Sequence, residues 1–334
     1  MFIVIKEQVG AFQITDQVVA VIRIADFDIP SGITQNEFTQ SGGILVGTGA
    51  GTFIELPPGA NGEVIIYDDT QPGGVKTDNL ETALPRGYID GLILSNSAGD
   101  PTNDIDISAG VCRDISNTYN LARTTTLMKK LDEAFSEGSG FGGLDTGSIA
   151  NTTYHVFLIK RSDTGAVDAL YSTSATAPSM PANYDSKRRI GSIVRTGGAI
   201  KAFVQDGDDF MWKASVEDVN ATNPGTSAVT RTLTVPTGIR VNALIAIYSD
   251  GLISSDHAGG ILFSDLSLLD NAPSGAGISL SHFTGAATQT VAGTQVRVWT
   301  NTSAQVRSRI QVSGTNTIIK ANTFGWVDRR GKDA

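Results

Sequence analysis

Residues 42–76 read GGILVGTGAGTFIELPPGANGEVIIYDDTQPGGVK, and the meaning of their glycines decides the fold. The stretch GTGAGT, Gly47 to Thr52, follows the apolar run Ile44-Leu45-Val46, which is how a nucleotide-binding loop begins. Such a loop holds phosphate on free backbone N–H groups at the start of a helix, so what comes next is the test. No helix can start here. A dinucleotide fingerprint needs a third glycine where Thr52 stands, and the Gly-Lys-Ser/Thr ending of a P-loop is absent. Phe53-Ile54-Glu55-Leu56 then runs into Pro57-Pro58, and a diproline removes N–H donors and holds the residue before it extended. The stretch therefore reads as two short strands, Gly43–Val46 and Phe53–Leu56, around a tight glycine turn. A third strand, Glu63–Tyr67, follows Gly59-Ala60-Asn61-Gly62, where Asn-Gly supplies the positive φ of a hairpin.

Composition widens this all-β reading to the rest of the chain. With 334 residues, 40% of them hydrophobic, there is enough chain for two or three modules that each bury a core. No stretch approaches the roughly 20 apolar residues of a membrane-spanning helix, so membrane insertion is not expected. The opening MFIVIKEQVG lacks a basic leader and its apolar run is cut at Lys6-Glu7, which argues against a secretory signal. The single cysteine, Cys112, excludes an intrachain disulfide and a Cys-rich metal site. The three histidines, His155, His257 and His282, are scattered, with no pair at ligand spacing. A net charge of −9 argues against nucleic-acid binding, which draws on clustered Lys and Arg. Charged residues make up only 18%, and Gly, Ser, Thr and Asn fill the surface instead, a turn-rich texture poor in helix formers.

Along the chain, Val18–Ile24 is a β-branched apolar run that ends at Asp26–Gly32 and reads as a strand or extended arm. The glycine-rich module is too small to bury much core alone. From Tyr88 onward longer strands are expected, with Ile105 and Ile107 alternating against Asp104 and Asp106. TTTLMKKLDEAF, Thr124 to Phe135, predicts one helix: Leu127, Met128, Leu131 and Phe135 share a face, Thr124 caps it and Gly138 closes it. Two hairpins follow, Tyr154–Lys160 with Ala166–Tyr171 and Arg188–Arg195 with Ala199–Gln205. Ser215–Gly225 reads as a linker or long surface connection. Short strands then recur through Val229–Val235, Ile239–Tyr248, Gly260–Phe263, Ile278–Phe283, Gln295–Thr300, Gln305–Val312 and Thr317–Lys320, the rhythm of a β-sandwich or jelly roll. The expected division is an arm at 1–40, the glycine-rich module at 41–86, a central β-rich domain at 87–214 and a C-terminal β-sandwich at 215–334.

Catalytic signals are thin, and neither an enzyme nor a cofactor is expected. Asp100-Pro-Thr-Asn103-Asp104-Ile-Asp106 fails as a calcium loop, because Ile105 replaces the glycine and Val111 the closing glutamate. Asp206-Gly207-Asp208-Asp209 reads as a turn, and no G-x-S-x-G elbow occurs. The most suggestive surface is C-terminal. Val306, Ile310 and Val312 alternate with Gln305, Arg307, Arg309 and Gln311, and Gln295, Arg297 and Trp299 alternate likewise. If the two strands pair, one face gathers Arg297, Trp299, Arg307 and Arg309, suited to an anionic host glycan; a solvated face or a subunit contact are the alternatives.

The phrase at 42–76 resembles a unit of bacteriophage and prophage tail-fibre proteins, G-D-I-L-V-G-T-G-A-G-T…L-P-x-G-x-N-G-x-V-L…G-x-K-W, with Thr77 standing where that unit ends in Trp. GLILSNSAGDPTNDIDISAGVCRD (91–114), GGLDTGSIANTTYHVFLIKRSDTG (142–165), STSATAPSMPANYDSKRRIGSIVR (172–195) and the ending GWVDRRGKDA (325–334) are similar to segments of phage tail or fibre proteins. The resemblance implies a virion structural protein, a homotrimer made in the host cytoplasm and carried on the tail. Residues 1–40 would dock on other virion (tail or baseplate) proteins, while the C-terminal β domain meets a host cell-surface glycan or protein. A purely architectural head-fibre or collar role, and a capsule depolymerase, are the competing expectations.

Overall fold

The computed structural model describes residues 39–49, 52–61, 63–79, 84–251, 258–274, 277–282 and 290–332. Apart from Thr39 and Gln40, the expected arm at 1–40 lies outside them, as does the strand read at Val18–Ile24. The chain divides into two compact units, Met1–Leu80 and Glu81–Ala334.

In the first unit, β1 (Ile44–Gly49) and β2 (Thr52–Leu56) form an antiparallel hairpin with Ile44 opposite Leu56 and Val46 opposite Ile54. Gly49, at φ +91°, sits in the left-handed region that a side chain disfavours, which lets the chain reverse. The Thr52 hydroxyl closes the turn by donating to the Gly49 carbonyl at 2.7 Å. A second hairpin joins β3 (Glu63–Tyr67) to β4 (Val75–Asn79), in which Thr77 lies opposite Ile65. The two hairpins touch: a Cβ on Gly73 would fall 2.9 Å from Val46 and 3.3 Å from Ile54. Yet among the described residues of 39–79 not one is buried, and Ile44, Ile54, Ile65 and Tyr67 stand exposed.

The second unit opens with β5 (Ile89–Gly91), β6 (Leu94–Asn96), β7 (Asp104–Ile107), β8 (Gly110–Arg113) and β9 (Asn120–Arg123). Next come β10 (Leu127–Ala134), β11 (Phe141–Leu144), β12 (Thr153–Arg161), β13 (Val167–Ser172), β14 (Tyr184–Thr196) and β15 (Ala199–Ile200). An eight-stranded sheet takes the order β15, β14, β12, β13, β11, β10, β7, β6, and β5, β8 and β9 form a small sheet of their own. The central strand β12 buries seven consecutive residues, Thr153 to Ile159, because both faces are covered. One face joins the main core through Tyr154, Val156 and Leu158; the other packs Phe157 and Ile159 with Leu170 and Tyr184.

The predicted helix at Thr124–Phe135 is instead β10, antiparallel to β7 and parallel to β11. Its inward positions are Leu127, Lys129 and Leu131, a period of two that a lysine conceals from the sequence. Lys129 is fully buried because Asp168 of β13 meets its ammonium at 3.1 Å, and the carbonyls of Ser136 and Gly138 accept at 2.7 and 3.1 Å. Among the described residues there is no helix; the protein is all-β.

The remaining strands are β16 (Phe203–Asp206), β17 (Asp209–Thr222), β18 (Val229–Thr232), β19 (Asn242–Gly251), β20 (Gly259–Ser264), β21 (Leu280–His282), β22 (Thr290–Trp299), β23 (Gln305–Ile310) and β24 (Ile318–Val327). They build a five-stranded sheet, β16, β17, β24, β19, β22, and a four-stranded one, β18, β23, β20, β21. Alternation is plain in β19, where Ala243, Ile245 and Ile247 are buried, and in β23, where Val306 and Ile310 are. Each such buried Ile or Val side chain stabilises the fold by roughly 1.5–3 kcal/mol relative to exposure. The linker read at Ser215–Gly225 is for the most part strand: β17 runs unbroken through the expected boundary at 214/215 and pairs with β24. Buried side chains on both sides of that boundary, Tyr154 and Ile190 with Ile245 and Ile310, belong to one continuous core. Residues 81–334 are thus a single body.

Candidate functional site

The C-terminal face read from the sequence does not assemble as expected, because its two strands do not pair. β22 pairs with β19 in the five-stranded sheet, whereas β23 lies between β18 and β20 in the other. Arg297 and Trp299 are therefore separated by sheet from Arg307 and Arg309. Arg307 and Arg309 do come together, on Asp270 at 3.8 and 3.1 Å, and both also donate to carbonyls, of Leu268 at 3.0 Å and Thr226 at 3.1 Å. Arg297 meets Asp209 at 3.3 Å on an exposed rim.

Two Ser–His pairs, unforeseen from the sequence, lie in the interior. Ser192 and His155 Nδ1 are 2.9 Å apart, and so are Ser249 and His282 Nδ1. A nucleophile needs its base within this reach. Here, however, all four side chains are at most 3% exposed, and Ser192 also faces Asp328 and Arg189, at 3.3 and 3.1 Å. Such sealed groups satisfy one another as buried polar networks. Cys112 is equally enclosed, and burial pushes its thiol up to about 12. The acidic stretches are also engaged. Asp100 accepts from the Thr102 and Asn103 backbone at 2.9 and 3.3 Å, and Asp208 pairs with Lys332 at 2.7 Å. Among the described residues no cluster of His, Cys, Asp and Glu is arranged to hold a metal.

Trp299 leads instead to a cleft of about 590 Å³, within the size range of ligand pockets. Its walls come from β14 (Lys187, Arg188, Arg189), the segment before β19 (Gly238, Ile239, Arg240), the end of β22 (Trp299) and the stretch after β24 (Asp328, Arg329, Gly331). Five cationic side chains thus face one carboxylate, in a protein whose net charge is −9. Arg189 grips Asp328 with two bonds, 2.6 and 2.7 Å, a fork that fixes both. Arg240 is paired with Asp265, donates to the Thr300 carbonyl at 3.3 Å and lies over the Trp299 ring at 5.8 Å. Arg188 is buried, and among the described residues no carboxylate forms an ion pair with it. Its guanidinium donates to the carbonyls of Arg330, Arg113 and Gly87 at 3.1, 3.4 and 3.2 Å, and burial holds its pKa below the ordinary value. Lys187 is half-buried, and among the described residues its ammonium has no ion-pair or hydrogen-bond partner.

Glycine shapes this wall. Gly238, at φ +83°, leaves no room for a side chain, since a Cβ would lie 2.8 Å from His155 Nε2. His155, underneath, is held neutral, its pKa pushed down to about 4 by burial first and then by Arg189. The sequence signals for the cleft were the basic runs Lys187-Arg188-Arg189 and Arg329-Arg330, and only Trp299 of its residues was picked out from the sequence. A comparison with protein-family models finds no match for the chain, and neither does one with curated proteins.

Proposed function

We propose that the chain is a bacteriophage virion structural protein, a tail-fibre or tail-tip component that supports adsorption to the host surface by binding rather than catalysis. The observation that carries this reading is the contrast between the two units. The hairpins of 39–79 leave every described residue at least partly exposed, Tyr67 at 94%, while 81–334 encloses a continuous core. A module so small and glycine-rich gains a core when copies of the chain wrap together, as in a homotrimeric fibre. Trimerisation would present three copies of the 81–334 body, so that weak contacts add through multivalency. The enclosed Ser–His pairs support binding over turnover, since no substrate reaches a hydroxyl that is 0% exposed.

The test is competition. Purified full-length protein, added to host cells before the phage, is expected to lower the rate of particle adsorption in a dose-dependent way. Undiminished adsorption at saturating protein would contradict a receptor contact and favour a purely architectural position on the particle.

A further inference from the structure

We propose that the cleft between β14, the β18–β19 connection and the stretch after β24 binds an acidic saccharide, with a sugar carboxylate on Lys187 and a sugar ring against Trp299. The inference deepens the adsorption reading and rests on it for the source of the sugar.

The charge balance of the walls selects an anion. Five of the chain's 25 Lys and Arg residues line this one hollow, against Asp328 alone. A cleft of one sign with low-dielectric walls focuses that potential and raises the local concentration of counter-charged ligand. Within the set the cations differ. Arg189 is neutralised by its fork on Asp328, Arg240 is paired with Asp265, and Arg188 is enclosed by three carbonyls. Arg329 is engaged as well, which leaves Lys187 as the lining cation without an ion-pair or hydrogen-bond partner among the described residues. A half-buried ammonium with no partner can pair with an incoming carboxylate without giving up or sharing an existing ion pair.

The aromatic wall selects a sugar among anions. Trp299 is 41% exposed at the end of β22, next to the buried Val298 that anchors the strand. The Arg240 guanidinium, held by Asp265 and the Thr300 carbonyl, fixes the indole from one side. A large, rigid, half-exposed ring beside hydrogen-bonding arginines provides an apolar platform with polar edges, which fits a pyranose: C–H groups on the ring, hydroxyls and carboxylate on the rim. Gly238 and Gly331, at φ +83° and +69°, take conformations that a side chain disfavours, so the backbone of this wall depends on glycine.

The experiment is calorimetric titration of the full-length protein with two probes, a glucuronic-acid-containing hexasaccharide and a nonulosonic-acid trisaccharide. Their carboxyl-reduced neutral counterparts and ATP serve as comparisons. At least one acidic sugar is expected to bind, with affinity falling about tenfold or more on carboxyl reduction, in Lys187→Ala and in Trp299→Ala. Lys187→Arg should restore most of it. Binding should weaken as salt rises, as for any half-exposed ion pair. Failure of both acidic sugars at millimolar concentration, equal binding of the reduced forms, or binding indifferent to both substitutions overturns the proposal; tighter binding of ATP would assign the cleft to nucleotides instead. The two readings fail separately. Sugar binding without competition for adsorption sinks the receptor role, whereas competition that survives Lys187→Ala and Trp299→Ala sinks only the cleft.

Discussion

Lys129 shows how one residue can hide an element. Its ammonium is enclosed in the eight-stranded sheet on Asp168 and two carbonyls; burial lowers its pKa, and Asp168 pulls in the opposite direction. Removing one partner of such a pair strands the other charge, so Asp168→Ala should cost about 3–5 kcal/mol in urea denaturation. Lys129→Met should cost less, because Asp168 keeps the backbone N–H groups of Gly138 and Ala169, each at 2.7 Å. Equal losses would mean that the pair does not govern this corner of the core. Acid should act through His155. Its folded pKa of about 4 lies below the ordinary 6.5, so between those values the unfolded chain binds more protons and stability falls as pH drops. The loss is at most about 3 kcal/mol. Asp104 works in the other direction. Burial first, and then Asp100, raise its pKa to about 6, so the folded state keeps a proton that the unfolded one releases, and stability rises as pH falls from 6 towards 3.8. The two effects oppose each other in the parent chain, so in thermal melts between pH 7 and 4 His155→Gln should gain stability relative to the parent chain as pH falls. Parallel curves would remove His155 from the acid response.

At the scale of elements, the strands were legible through more than one signal. The three strands read in 42–76 follow from their turn residues and the diproline, β12 from a mostly apolar run that is buried on both faces, and β23 from apolar residues at every second position. Where a strand carries a buried charge, as β10 does, alternation breaks, and spacings of three and four mimic a helix face. The supposed linker failed for a different reason. Asn220, Asn223 and Pro224 read as turn residues, but Asn220 pairs in register with Lys320 inside a long strand, supported by β24. The cleft was not legible as a unit for a third reason: its residues come from positions such as 187, 240, 299 and 328, brought together only by sheet packing. β24 itself depends on a close backbone approach. A Cβ on Gly325 would lie 2.0 Å from the Phe210 carbonyl oxygen and 2.9 Å from Met211 Cα, where no flexible side chain can yield. Gly325→Ala should cost about 3 kcal/mol or more by thermal or urea unfolding. A change near zero would show that β17 and β24 tolerate separation at this point.

On the scale of the whole molecule, the protein combines a hairpin unit in which no described residue is buried with an all-β body that has its own core and a basic, tryptophan-walled cleft. In the proposed function, the first serves assembly and the second contact with an anionic surface, as a virion fibre would require. Location on the particle bears on the proposal more directly than any property of the isolated chain. An electron-microscope map of intact particles, at a resolution that traces the sheets of residues 81–334, is expected to show this body in three copies per fibre at the tail. Particles whose every density is filled by other chains would contradict the account.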